Sequence, residues 1–351
     1  MPLNEIVAAL TITTALALGA SALAPDHALT APAATAVAVT TTPLPLNRDD
    51  PGATAIGALQ FRGAVQLRAT DPLFGGISGL RFGGTIPNGA QLLGVTDTGN
   101  WITLQTIESG GRLTGVRNVT LVPIRGADGR PAATKAQGDA EALEWNPDTG
   151  TAAIVYEQDH RIAHFAGIDP ADPGTFSAQP DRIERLTAMT GWPLNGGGEA
   201  MAILPGGARV VLSERRMTED GHHAGLLTID GRTRDIAVAG VADHSPTDAV
   251  ALDATHLLVL HRRFDLSGQG AAVTLVDLAP AIAGAPGALP ARLLAQWQSP
   301  VTLDNMEGLA LRRDGDRVFL YIVSDDNLSS LQRTLLMKFE LVLPRQAGIK
   351  P

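Results

Sequence analysis

Short apolar runs recur along this chain in a fixed partnership. A polar residue beside small ones opens one run, and a second run further on ends in a charged residue or pair. The openings are Ser78-Gly79-Leu80, Glu141-Ala142-Leu143, Glu199-Ala200-Met201, Asp248-Ala249-Val250 and Glu307-Gly308-Leu309. The second runs are Leu92–Val95 into Asp97, Ala152–Tyr156 into Glu157, Arg209–Ser213 into Glu214-Arg215, Leu257–Leu260 into His261-Arg262, and Val318–Ser324 into Asp325-Asp326. Within the units, apolar residues alternate with polar ones at period two, as in Phe61, Gly63, Val65 and Leu67 or in Leu335, Met337, Phe339 and Leu341, which predicts half-buried β-strands. No segment after residue 30 sustains a helical period over three turns, so little helix is expected.

Successive openings are 63, 58, 49 and 59 residues apart. Self-similarity at such a period marks a repeat architecture, and the spacing accommodates four antiparallel strands with their turns, the size of a propeller blade. After Glu307 the chain offers only two further strands, 317–324 and 333–342, so the last unit lacks one. Phe61–Arg68 precedes the first opening and belongs to no earlier unit. Placed beside 333–342 it would complete the last blade and remove an open edge. The expectation is an all-β protein: a β-propeller of five four-stranded blades over residues 57–345, closed by an N-terminal strand. A sixth blade would fit if a unit with a degenerate opening lay within 104–137.

Composition narrows the setting. The 351 residues include 38 Gly and 23 Pro, which suits many turns, and all-β propellers of this length form one domain. A net charge of −9 with no Lys/Arg cluster excludes nucleic acid and anionic membrane as expected partners. The absence of Cys excludes disulfides, thiol nucleophiles and zinc–thiolate sites. Residues 1–24 read as a signal peptide, uncharged from Ile6 to Ala24 with a small-x-small pattern at Ala20-Ser21-Ala22; Met1–Glu5 lacks the usual Lys or Arg, so an N-terminal anchor is the alternative. Residues 25–56 are rich in Pro, Ala and Thr and read as a disordered linker. A periplasmic or secreted monomer is expected.

Propeller geometry turns the repeat into a site. The innermost strand of each blade lines the central channel, and its start lies on the same face as the end of the next strand. Glu141, Glu199, Asp248 and Glu307 would therefore stand around the channel mouth, beside Asp97, Glu157, Glu214, His261 and Asp325. Crowded carboxylates repel unless some are protonated or a cation sits among them. A hard, oxygen-seeking divalent ion resolves the conflict, and calcium accepts 6–8 oxygen ligands in loose geometry. Glu141, Glu199, Asp248, Glu307 and Asp97 are the expected ligands. His261 is the group expected to titrate near neutral pH, and Arg215 and Arg262 could clamp an anion. His222-His223 reads as a solvated loop tip. Gly196-Gly197-Gly198 opens a strand and not a helix, so it does not read as a dinucleotide-binding loop.

The runs Gly76-Ile77-Ser78-Gly79-Leu80, Asp139-Ala140-Glu141-Ala142-Leu143, Gly198-Glu199-Ala200-Met201, Asp304-Asn305-Met306-Glu307-Gly308-Leu309, Val323-Ser324-Asp325-Asp326-Asn327 and Gln332-Arg333-Thr334-Leu335-Leu336 resemble the phytase-like family with esterase-like activity, over about residues 60–342. The resemblance implies an exported bacterial β-propeller hydrolase acting on phosphate or carboxylic esters with a divalent metal. The fourth repeat departs from the family's tendency, reading His261-Arg262-Arg263 in place of Glu-Arg-Arg. In a hydrolase, the metal would polarise the scissile group, Asp325 or Glu157 would take a proton from water, and Arg215 and Arg262 would stabilise the developing oxyanion. A propeller that binds a small anionic ligand or a protein without catalysis, and a lactonase-type propeller, are the alternatives.

Overall fold

The computed structural model describes residues 33–265 and 268–343. The chain enters through three short strands, β1 (Thr35–Val37), β2 (Val39–Leu44) and β3 (Ala55–Ile56), and then a long one, β4 (Leu59–Ala69). Blade 1 follows with β5 (Ile77–Ile86), β6 (Gly89–Thr96), β7 (Asn100–Ser109) and β8 (Arg112–Pro123). Blade 2 comprises β9 (Ala140–Asn146), β10 (Thr151–Tyr156), β11 (Arg161–Phe165) and β12 (Arg182–Arg185). Blade 3 is β13 (Gly198–Ile203), β14 (Arg209–Met217), β15 (His223–Ile229) and β16 (Arg232–Val238). Blade 4 is β17 (Ser245–Ala251), β18 (His256–Asp265), β19 (Gly268–Asp277) and β20 (Ala291–Gln298). The last blade opens with β21 (Asn305–Asp314), β22 (Arg317–Asp325) and β23 (Thr334–Leu341).

All pairings within the blades are antiparallel, and the innermost strands β5, β9, β13, β17 and β21 pack one on the next around a closed ring. The protein is a five-bladed β-propeller. Residues 104–137, where a sixth blade could have lain, instead complete blade 1 and run on into a connection. Among the described residues the α-helices are two single turns, Lys135–Gly138 and Ala279–Ile282, and no helix is long and apolar enough to cross a membrane.

Five hydrophobic clusters fill the five wedges between consecutive blades. Each sheet is therefore buried on both faces. This is why Leu257–Leu260 and Val318–Val323 are continuously apolar, whereas a sheet with one wet face would alternate. The wedge between blades 1 and 2 is filled by Trp101, which meets Phe165 edge-on at 5.2 Å and stacks on Phe176 at 5.5 Å.

Ring closure occurs as the strand count requires. β4 pairs with β23, with Leu59 opposite Leu341, Phe61 opposite Phe339 and Leu67 opposite Thr334. The segment before it differs from the expected linker. β1 pairs with β8 on the rim of blade 1, and β2 pairs with β4 on the rim of the last blade, so residues 35–44 strap the seam where the ring closes. Their Thr and Val content suits an edge strand, and Pro43 is tolerated there because its partnerless side faces outward. Composition suggested disorder because the burial these residues gain lies on strands far away in sequence. The expected signal peptide lies outside the described residues.

Candidate functional site

Each innermost strand carries a β-bulge near its start. Pairing with the second strand skips one residue in every blade: Ser78, Glu141, Glu199, Thr247 and Glu307. A bulge re-aims the extra residue, and here it does so five times around the channel mouth. Three of the five residues are Glu. The two hydroxyls tie neighbouring blades together, Ser78 Oγ donating to the carbonyl of Ala140 and Thr247 Oγ1 to that of Met306 at 2.9 Å.

The second ring follows from the same register. One residue beyond the pairs Ile77↔Thr96, Ala140↔Tyr156, Gly198↔Ser213, Pro246↔His261 and Met306↔Ser324 stand Asp97, Glu157, Glu214, Arg262 and Asp325. In blade 4 both expected site residues were thus one position off. Thr247 holds the bulge in place of Asp248, and Arg262 holds the second-ring position in place of His261.

Asp248 lies deeper, and its role is different. It is fully buried and bidentate with Arg81, Oδ2 to Nη1 at 2.9 Å and Oδ1 to Nη2 at 3.1 Å, and it accepts the N–H groups of Leu309 and Ala249. Burial pushes its carboxyl up to about 6, against the pull of Arg81. Arg81 also donates to the carbonyls of Leu80, Met201, Ala249 and Leu309 and stands 3.4 Å from Glu144, so one guanidinium touches the innermost strand of every blade. Asp248 has no free oxygen for a metal. His261 is buried as well, with Nε2 2.8 Å from Thr274 Oγ1, and burial together with His223 and His244 holds its imidazole down at about 3. It is neutral at physiological pH and is not the acid or base near pH 7 that the sequence suggested. His223, expected at a solvated loop tip, is buried against it with ring centroids 6.4 Å apart.

At the mouth, two cations stand on opposite sides of an acidic ring. Lys135 Nζ, from the single-turn helix before β9, bridges Asp97 at 2.9 Å and Asp139 at 2.6 Å. Arg262 bridges Glu214 and Glu307, both at 2.8 Å, and donates to Asn305 Oδ1. Glu141, Glu157, Glu199 and Asp325 make no ion pair among the described residues. Desolvation, then the charge of Glu199, raises Glu141 well above the ordinary carboxylate range. Glu199 is raised well above it by burial and then by the neighbouring Glu157. Glu157 in turn accepts the N–H groups of Gly196 and Gly197, so the Gly-rich run cradles an anion after all, and the anion is a side chain. Burial, then Asp97 and Glu307, raises Asp325 well above its ordinary value, and burial raises Glu307 to about 8 despite Arg262.

Ligand oxygens of Asp139, Glu141 and Glu157 can converge to within 4.8 Å of one another. Asp139 was not among the residues expected from the sequence, although it stands two positions before Glu141, at the end of the helical turn that leads into β9. Asp97 Oδ1 is buried and has no hydrogen-bond partner, and it lies so close to Gly76 (φ 63°) that a Cβ there would stand 2.1 Å away. An all-oxygen donor set with surplus negative charge and an orphaned carboxylate oxygen fits a hard divalent cation. Arg215 sits at the rim, with Nε 3.2 Å from Glu214 and its side chain 57% exposed.

Fold and site together define a five-bladed propeller with an acidic, cation-ready channel mouth. The family model described as phytase-like, esterase-like activity of phytase, matches residues 72–328, and the chain belongs to that family. No curated protein matches it. Among solved structures, an α-L-arabinofuranosidase from Podospora anserina in complex with cellotriose is 11% identical, with 75% of this chain and 91% of that one covered at a TM-score of 0.47. The catalytic domain of an α-L-arabinofuranosidase from Coprinopsis cinerea is 12% identical, with 84% and 98% covered at a TM-score of 0.45.

Proposed function

We propose that the chain is an exported, monomeric, divalent-metal-dependent hydrolase that cleaves carboxylic or phosphoric esters of small molecules at the channel mouth, with calcium as the metal. The observation that carries this reading is the surplus of buried carboxylates over the two cations Lys135 and Arg262, with Asp139, Glu141 and Glu157 gathered within one ion's reach. Asp139, Glu141 and Glu157 would hold the ion, with Asp97, Glu199 and Glu307 around it. When bound, the ion would supply Lewis acidity to the scissile group and lower the pKa of a water.

The chain's own residues complete the chemistry. Asp325, at the mouth beside Asp97 and Glu307, would be the carboxylate that takes a proton from the attacking water. Glu199, which burial and Glu157 raise well above the ordinary range, would pass a proton to the leaving oxygen. Arg262 is engaged by Glu214, Glu307 and Asn305, so it holds those carboxylates in position, while Arg215 at the rim is the guanidinium available to an anionic substrate. The products are an acid and an alcohol, with water's oxygen on the acyl or phosphoryl group.

The test is elemental analysis of purified protein followed by a panel of chromogenic phosphate and carboxylic esters, with and without chelator. Hydrolysis that is lost with chelator and restored by calcium is expected. Calcium binding without turnover of any ester would move the reading to a non-catalytic propeller that binds an anionic ligand.

A further inference from the structure

Beside the mouth lies a cavity of about 330 Å³ that the carboxylate site does not use. It is walled by Asp159, His160, Arg185, Leu186, Trp192 and Leu194. These belong to the hairpin between β10 and β11, to the last residue of β12 and to the connection from β12 to β13, all on the mouth face. The same two segments build the Glu157 cradle: His160 is three residues past Glu157, and Gly196 and Gly197 are separated from Leu194 by Asn195 alone. Gly197 lies between them, and a Cβ there would stand 2.8 Å from His160 Cε1. Cavity and carboxylates thus share one wall.

The lining indicates what would fit. The charged residues lining that wall are Asp159 and Arg185, Arg185 donating to the carbonyl and carboxylate of Asp159 at 3.0 and 3.3 Å, while Arg161 behind the wall pairs with the other carboxylate oxygen at 2.5 Å. Trp192 is nearly buried, while Leu194 is 64% exposed, unusually wet for so large an apolar side chain. His160 Nε2 stands 3.2 Å from the carbonyl of Trp192, which can only accept, so Nδ1 bears the lone pair; it is buried and has no partner. A polyanion would find at most one guanidinium charge in excess of Asp159 here, and an acidic mouth beside it. An uncharged aryl or alkyl group would cover Trp192 and Leu194, and a hydroxyl could satisfy the imidazole.

We infer that this cavity is the leaving-group subsite of the channel-mouth hydrolase, selective for esters of uncharged aryl or medium-chain alkyl alcohols. The inference rests on the hydrolase reading, and its test separates the two. With the calcium-loaded full chain, the acetate and phosphate esters of 4-nitrophenol are compared with those of methanol. Thr190→Trp, which fills the cavity from its exposed wall, is expected to lower the ratio of aryl-ester to methyl-ester kcat/KM by roughly tenfold, within the range that one apolar pocket contributes. Independently of turnover, 4-nitrophenol is expected to quench the part of the tryptophan fluorescence that Trp192→Phe removes, with melting temperature confirming that both variants fold. Quenching without hydrolysis of any ester keeps the subsite and removes the hydrolase. Hydrolysis with an unchanged ratio and no Trp192 quenching overturns the subsite alone.

Discussion

The channel holds two buried ionic clusters a few residues apart along the same innermost strands, and they differ in how their charges add up. At the waist, Arg81 faces Asp248 and Glu144 and also donates to four backbone carbonyls. Every lone pair of Asp248 has a donor, and the cluster acts as a pin through all five blades. At the mouth, Lys135 and Arg262 face Asp97, Asp139, Glu141, Glu157, Glu199, Glu214, Glu307 and Asp325, and desolvation plus mutual repulsion pushes several of these carboxyls up. A buried network in which every carboxylate meets a guanidinium serves the fold; one left short of cations is a site awaiting a ligand.

Removing the pin should give the largest effect. Arg81→Leu strands Asp248 and Glu144 without a counter-charge and should cost about 3–5 kcal/mol in urea unfolding, the range for breaking one side of a buried pair. A loss below about 1 kcal/mol would show that the waist relaxes and that the contrast with the mouth is false.

Next comes the pH dependence of the metal-free protein. Folding raises Glu307 from 4.5 to about 8, and Glu141, Glu199 and Asp325 rise as well. A carboxyl whose folded pKa is raised binds its proton more tightly in the native state, so its stabilisation is complete below the unfolded value and is lost as pH climbs through the folded one. Chelated protein should therefore lose melting temperature steadily between about pH 5 and pH 8. Calcium should restore it most at the upper end, where it replaces the missing protons. A melting temperature flat across that range, with or without calcium, would break the account of the mouth.

Glu307→Gln sharpens the contrast at one residue. It deletes a repelling charge while Arg262 keeps Glu214 and Asn305, so chelated protein should be no less stable than wild type at pH 8. Its calcium affinity should fall roughly tenfold, about 1.4 kcal/mol by calorimetry. Unfolding of the variant would instead place Glu307 with Asp248 among the structural carboxylates.

The smallest effect belongs to the rim. Arg215→Ala should change stability by less than about 0.5 kcal/mol, as expected for an exposed ion pair. It should raise KM for anionic esters while leaving neutral ones alone, a split that steady-state kinetics reads directly.

Particular residues show what a reader of the sequence can and cannot reach. Glu141, Glu199 and Glu307 announce themselves by recurrence, and the missing fourth strand of the last unit pointed to Phe61–Arg68. Asp248 and His261 misled by a single position each, because the carboxylate of one and the imidazole of the other imitate the repeat, whereas the bulge that sets the true phase is a backbone event without a side-chain signature. Arg81 could not have been singled out: an arginine inside an apolar-flanked strand gives no sign of the carbonyls that will surround it.

The division has a physical cause. Strand alternation, blade period, blade number and the ring of acids are consequences of which residue types recur and how far apart they stand, and those quantities are linear along the chain. Which of two adjacent residues faces the channel, whether a carboxylate meets a guanidinium or another carboxylate, and whether residues 35–44 are linker or strap depend on partners brought from elsewhere. Only the closed ring sets Asp248 beside Arg81, 167 positions away, and leaves Glu141 among other acids.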